Sequence, residues 1–239
     1  MILGLIALAA FAATMLGGWL ALRLRDRLHL ILGFSAGAVI AVAFFDLMPE
    51  ALELGAGYGA NNILVFVALG FLLYLLLDRL LLLHSHADEH HDHTDVRGDV
   101  RAGSLSLHSL LDGIGIGLAF QVNAGVGLVV AVAVLAHDFS DGVNTISVIT
   151  RHGGSYKKAL RWLLVDAAAP VVGVAVTMFF SVTGEHLGAL LALFAGFFLY
   201  IGASDLIPES HHAHPTFWTT ATTIVGAAVL FAVVRLVGV

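Results

Sequence analysis

The sequence predicts an all-α integral membrane protein with eight transmembrane helices, and three observations carry that prediction. Of the 239 residues, 59% are hydrophobic and 12% charged, against roughly 45–50% and about 25% in a soluble domain. Apolar runs of ~17–25 residues, the length that crosses a bilayer, recur along the whole chain. Two of those runs also carry copies of one motif in inverted orientation, an internal symmetry of transporter-like bundles.

The first span covers about 2–22. It is apolar from residue 2 and lacks the basic leader of a signal peptide; Arg23, Arg25 and Arg27 close it. The second, about 30–51, finishes in Asp46-Leu47-Met48-Pro49-Glu50 and is followed by a Gly-rich break. The third, about 62–83, runs into a His-rich loop, 84–101. The fourth, about 103–121, and the fifth, about 125–149, hold most of the polar residues at membrane depth, with a short break from Gln121 to Gly125. In the sixth, about 158–182, Asp166 lies four residues before Pro170, whose missing N–H loosens the helix. The seventh, about 187–207, leads to Asp205-Leu206-Ile207-Pro208-Glu209, and the eighth covers about 216–237. No segment is large enough for a separate soluble domain, so residues 1–239 read as one transmembrane domain.

Basic residues orient the bundle. Ten of the 11 Lys and Arg lie in or beside the loops after the first, third and fifth spans. Both termini are therefore expected outside a cell (inner) membrane, with the His-rich loop in the cytoplasm. The segments around Asp46 and Asp205 repeat at a constant offset of 159 residues, each preceded by Ala-Gly (Ala36-Gly37, Ala195-Gly196). One copy runs outward and the other inward.

Composition also narrows the chemistry. The absence of cysteine excludes disulfides, thiolate metal sites and iron–sulfur clusters. With 11 basic residues and a formal charge of -6, nucleic acid is not an expected partner. Histidine is abundant, at 13 residues.

The fourth and fifth spans carry the chemistry. They read His108-Ser109-x-x-Asp112-Gly113 and His137-Asp138-x-x-Asp141-Gly142. Spacing of i, i+4 puts each His and Asp on one helix face. Ionisable groups at membrane depth are costly and normally mark a site or a pathway. Imidazoles and carboxylates converging from facing helices suit a divalent cation. Asp166 is a candidate fifth ligand, and Ser109 and Asp138 allow a second cation to share Asp112 and Asp141. Asp46 and Glu50 are expected to form an acidic entrance at the outer mouth, and Asp205, Glu209, His211 and His212 an exit at the inner one. The loop offers His84, His86, His90, His91 and His93 among three acids; it has no core-forming residue, and is expected to be disordered and to bind metal. Tyr74 and Trp162 read as packing residues.

Taken together, the sequence resembles the ZIP (Zrt/Irt-like) family of metal transporters over nearly its whole length. The resemblance rests on the eight spans, the placement of the termini, the His-rich loop after the third span and the paired motifs of the fourth and fifth. It implies a binuclear centre: one cation on His108, Asp112, His137, Asp141 and Asp166, the other on Ser109, Asp112, Asp138 and Asp141. It further implies uptake of divalent cations into the cytosol by an elevator-type homodimer in membrane lipid, zinc foremost, with iron, manganese and cadmium as alternatives. The cation is cargo, not a catalytic cofactor, and no enzyme activity is expected. Many bacterial members carry Glu at the 112, 141 and 166 positions and Pro before the acid. Here all three are Asp, with Leu111 and Ser140 in front, so the cage is expected to be larger or reshaped. Two rival readings use the same ligands: an intramembrane zinc-dependent hydrolase, which needs an open coordination position, and a membrane metal sensor that binds without flux.

Overall fold

The computed structural model describes residues 2–20, 28–86, 94–151, 153–182, 184–212 and 217–237. Their regular structure is helical: α1 (Ile2–Leu20), α2 (Leu28–Val42), α3 (Met48–Leu54), α4 (Ala60–His86), α5 (Thr94–Val122), α6 (Ala124–Arg151), α7 (Tyr156–Thr177), α8 (Glu185–Tyr200), α9 (Ile207–His212) and α10 (Phe217–Val237). A π-helical turn, Ala43–Leu47, joins α2 to α3, and a second, Ile201–Leu206, joins α8 to α9. Eight stretches among the described residues are long and apolar enough to cross a membrane, at the positions read from the sequence. The chain is a multi-pass membrane protein.

Two sequence expectations shift. The loop anticipated at 84–101 is shorter, because α4 continues to His86 and α5 already starts at Thr94. One cause is visible in α5: the Asp99 carboxylate accepts from Trp162 Nε1 at 2.8 Å and pairs with Lys158 Nζ at 2.9 Å, which ties its first turns to α7. Residues 87–93, with His90, His91 and His93, lie outside the described residues.

The second shift concerns the repeated Asp-x-x-Pro-Glu motif, which does not end its helices. In both copies the helix widens into a π turn and then continues, to Leu54 in one and His212 in the other. Proline explains the position. Its ring clashes with the carbonyl four residues earlier and it donates no N–H. Phe45 and Ser204, the residues four before Pro49 and Pro208, fall inside the two π turns. The widened turn absorbs a defect that would otherwise break the helix.

The helices pack in two groups. In one, α5 lies along α7, and α1 lies along α6 and α7; in the other, α2 lies along α10 and α4 along α8. The seam between them passes α6, whose transmembrane stretch is 72% buried, the largest share of the eight. Ser35 of α2 crosses it, donating to the Ala136 carbonyl at 2.7 Å. The outer faces of α1, α4 and α10 display Leu5, Leu8, Leu72, Leu73, Ile224 and Val225, as a lipid-facing surface requires.

Close approach within the first group depends on the glycines of the two His-x-x-x-Asp-Gly motifs. A Cβ at Gly142 would strike the Thr14 carbonyl of α1, and one at Gly113 would strike the Pro170 backbone of α7. Small residues at such crossings let backbones approach in a membrane, where lipid supplies no hydrophobic drive for association. Gly142→Val is therefore expected to destabilise the protein by about 1–3 kcal/mol through overpacking. Gly4→Ala, whose Cβ would meet nothing within 4 Å, should be neutral. Thermal unfolding of the detergent-solubilised variants checks this, and equal melting temperatures would show that the crossing tolerates a side chain.

Candidate metal centre

The i, i+4 spacing read from the sequence holds in the structure: α5 presents His108 and Asp112, and α6 presents His137 and Asp141. The two pairs meet in the middle of the bundle. All four are buried, His108 at 6% exposure and the others at 2% or less. The Asp112 Oδ2 atom lies 3.1 Å from Nε2 of both histidines. Asp141 Oδ2 lies 3.6 Å from His108 Nε2 and 3.9 Å from His137 Nε2. One ligand atom from each residue falls within 4.8 Å of the other three. Four donors around a zinc ion, with bonds of about 2.0–2.2 Å, sit roughly 3.3–3.6 Å apart, so small side-chain movements would close this quartet on one cation.

The outer nitrogens of the two rings decide how the inner ones can act. His137 Nδ1 lies 3.0 Å from the Ala133 carbonyl on its own helix. A carbonyl only accepts, so Nδ1 carries the hydrogen and Nε2 keeps a lone pair when the ring is neutral. That lone pair then faces a carboxylate oxygen, an arrangement relieved by a proton or a divalent cation between them. His108 Nδ1 instead lies 2.9 Å from the Tyr74 hydroxyl of α4.

Around the quartet the other predicted ligands differ in status. Asp166 is fully buried, but its carboxylate already accepts from Ser109 Oγ and Thr145 Oγ1, each at 2.8 Å. Ser109 is thus turned toward Asp166. Asp138 is buried with both carboxylate oxygens lacking a hydrogen-bond partner among the described residues, as do Asp112 Oδ1 and Asp141 Oδ2. Unpaired carboxylate oxygens in a dry interior are expensive, and oxygen donors of this kind suit hard or borderline divalent cations.

A cavity of about 340 Å³ reaches His108 and Asp141, and its wall includes Asp78, Asn144, Ser147 and Asp205. It lies beside the C-terminal half of α4 and the N-terminal half of α5, at Tyr74, Asp78, Val100 and Ser104. Of the four predicted exit residues, Asp205 lines it. His211 is engaged elsewhere, with Nδ1 2.9 Å from the Ile207 carbonyl and Nε2 3.2 Å from Thr220 Oγ1 of α10. The side chains of Glu209, His212, His84 and His86 lie outside those described. At the other copy of the repeat, Asp46 is 1% exposed, with neither carboxylate oxygen hydrogen-bonded among the described residues, while Glu50 is half-buried.

Sequence reading missed Tyr74, Thr145, Asp78 and Asn144. Thr145 follows Asp141 at i+4, so periodicity alone offered a signal. Tyr74 and Asp78 are also four apart, but nothing in a leucine-rich span tells which face meets the site.

The family model described as ZIP Zinc transporter matches residues 102–236. Among curated relatives, zinc transporter zipt-7.1 of Caenorhabditis briggsae is 24% identical, the match covering 76% of this chain and 62% of the relative. Zinc transporter YKE4 of Saccharomyces cerevisiae is 22% identical, over 80% of this chain and 65% of its own length. Zinc transporter ZIP6 of Homo sapiens is 31% identical, over 44% of this chain but 14% of its own. The chain therefore spans less than two thirds of each of these proteins.

Asp112 touches both imidazoles, and its loss should weaken divalent-cation binding by more than the ~10–100-fold typical of a residue that only supports a ligand. Isothermal titration of zinc into Asp112→Ala and the unaltered protein measures this. An unchanged affinity would remove Asp112 from the ligand set.

Proposed function

The chain belongs to the ZIP zinc transporter family, and on that footing we propose that it carries divalent metal cations across the membrane, zinc foremost, with iron, manganese and cadmium as alternative cargo. The observation that carries this reading is the buried quartet His108, Asp112, His137 and Asp141 at the end of a cavity whose wall includes Asp78, Asn144 and Asp205. A cation there would exchange its water for two imidazoles and two carboxylates, a donor set that binds these metals without thiolate. Members of the family represented by the C. briggsae and yeast relatives are named as transporters.

The finer reading follows the same residues. Basic residues cluster in the loops on the cavity side, so by the positive-inside rule that side is cytoplasmic and both termini are outside. The cavity then serves as the exit, with Asp205 on its wall. Asp46 and Glu50 lie toward the opposite end and serve as the entrance. Asp138, with Asp112, Asp141 and Ser109, supplies a second cation position, and Asp166 joins the first when its hydroxyl donors turn away. The group α1, α5, α6 and α7 carries the centre against the group containing α2, α4, α8 and α10, in the manner of an elevator within a homodimer in the cell membrane. Ser35, a small residue at the seam, fits such sliding.

Transport into proteoliposomes tests the reading. Asp112→Ala and Asp141→Ala should abolish zinc uptake while leaving the protein folded, whereas Ser109→Ala should reduce it mildly, a hydroxyl being a weak ligand. Wild-type flux in Asp112→Ala would show that cargo does not pass through the quartet. Removal of residues 84–93 should preserve measurable flux, because that stretch carries none of the quartet. Complete loss in a folded, inserted deletion would place the stretch in the conduction path.

A further inference from the structure

We propose that Tyr74 is a positioning residue of the metal centre: from α4, across the seam between the helix groups, its hydroxyl holds the His108 ring so that Nε2 faces Asp112 and Asp141. This deepens the transport reading and rests on it.

α4 contributes none of the quartet, yet it buries Tyr74 to 5% exposure beside it. A buried tyrosine hydroxyl needs a polar partner, and here that partner is His108 Nδ1 at 2.9 Å. The two rings meet edge to face, with centroids 6.1 Å apart. The tyrosine ring is itself wedged against Phe197 at 5.7 Å and Tyr200 at 5.2 Å, both of α8. The Tyr200 hydroxyl points away from this contact and donates to Asp78 Oδ2 at 3.0 Å, so the wedge against Tyr74 is made by the Tyr200 ring alone.

The two histidines are thus braced differently. His137 leans on a carbonyl of its own helix, Ala133, and keeps that support wherever α6 goes. His108 leans on another helix. A hydroxyl can accept or donate, so Tyr74 satisfies Nδ1 in either tautomer; with a cation on Nε2, Nδ1 carries the hydrogen and Tyr74 Oη accepts it. Partners of this kind orient metal-binding imidazoles, and their removal weakens metal affinity by roughly 10–100-fold. Plain packing would not require the hydroxyl at all.

The test uses the full chain with His84, His86, His90, His91 and His93 changed to Ala in every arm, so that cobalt(II) titrations report the centre and not the loop. Tyr74→Phe keeps the ring and removes only the hydroxyl. It should weaken cobalt affinity at least ~10-fold and alter the visible absorption of bound cobalt, which reads ligand geometry. Tyr200→Phe, which releases Asp78 but leaves His108 untouched, should change neither. In a His108→Ala background, Tyr74→Phe should produce no further loss, because its effect passes through that ring. Unchanged affinity and absorption in Tyr74→Phe would overturn the assignment, as would an equal loss with and without His108. A parent protein lacking any saturable cobalt band would instead sink the metal-centre reading, and this inference with it.

Discussion

Everything in this molecule answers to one constraint: two imidazoles and several carboxylates are held where the solvent is hydrocarbon. A charge in such a medium has no water to fall back on, so the groups must satisfy one another or a cation. The Asp112 oxygen that lies 3.1 Å from both Nε2 atoms is the point where that requirement is concentrated. The surrounding hydroxyls divide the remaining charge. Ser109 and Thr145 occupy Asp166, while Asp138 retains two oxygens without hydrogen-bond partners among the described residues. The acids here are therefore of two kinds, one whose oxygens already accept from hydroxyl donors and one whose oxygens have no such donor among the described residues.

Bringing those groups together is a backbone problem before it is a side-chain problem. The His–Asp pairs reach each other because α5 and α6 lie side by side and are held against α7 and α1. Gly113 and Gly142 permit that last approach by having no Cβ. Each motif thus encodes both a His–Asp pair and, in the next residue, the clearance that lets its helix take position. The π turns before Pro49 and Pro208 solve a related problem: they pass an unpaired backbone defect through a helix that must continue. Their two Asp residues end up in different surroundings. Asp205 faces the cavity and Asp46 is buried, although the local sequences and helix irregularities match.

That difference marks a boundary of sequence reasoning. Internal repeats reveal that two segments share a local solution, and they did so here down to the position of the proline. Burial depends on which neighbours close over each copy. His211 shows the same limit: the sequence groups it with Asp205, and only the fold gives its ring the Ile207 carbonyl and Thr220 of α10 as partners.

By itself the sequence determined the eight spans, the internal repeat and the two His–Asp pairs. These follow from hydropathy over ~20 residues and from spacing along a single helix, both local properties of the chain. It also identified the family resemblance that residues 102–236 bear out. Only the tertiary structure decided which atoms meet. It put one carboxylate oxygen between two rings, turned Ser109 toward Asp166, and brought Tyr74 across from a helix 34 residues earlier in the chain. Those contacts depend on the rotation and depth of each helix relative to its neighbours. The packing of small residues and wedged aromatic rings sets both, and no pattern within a single span records them.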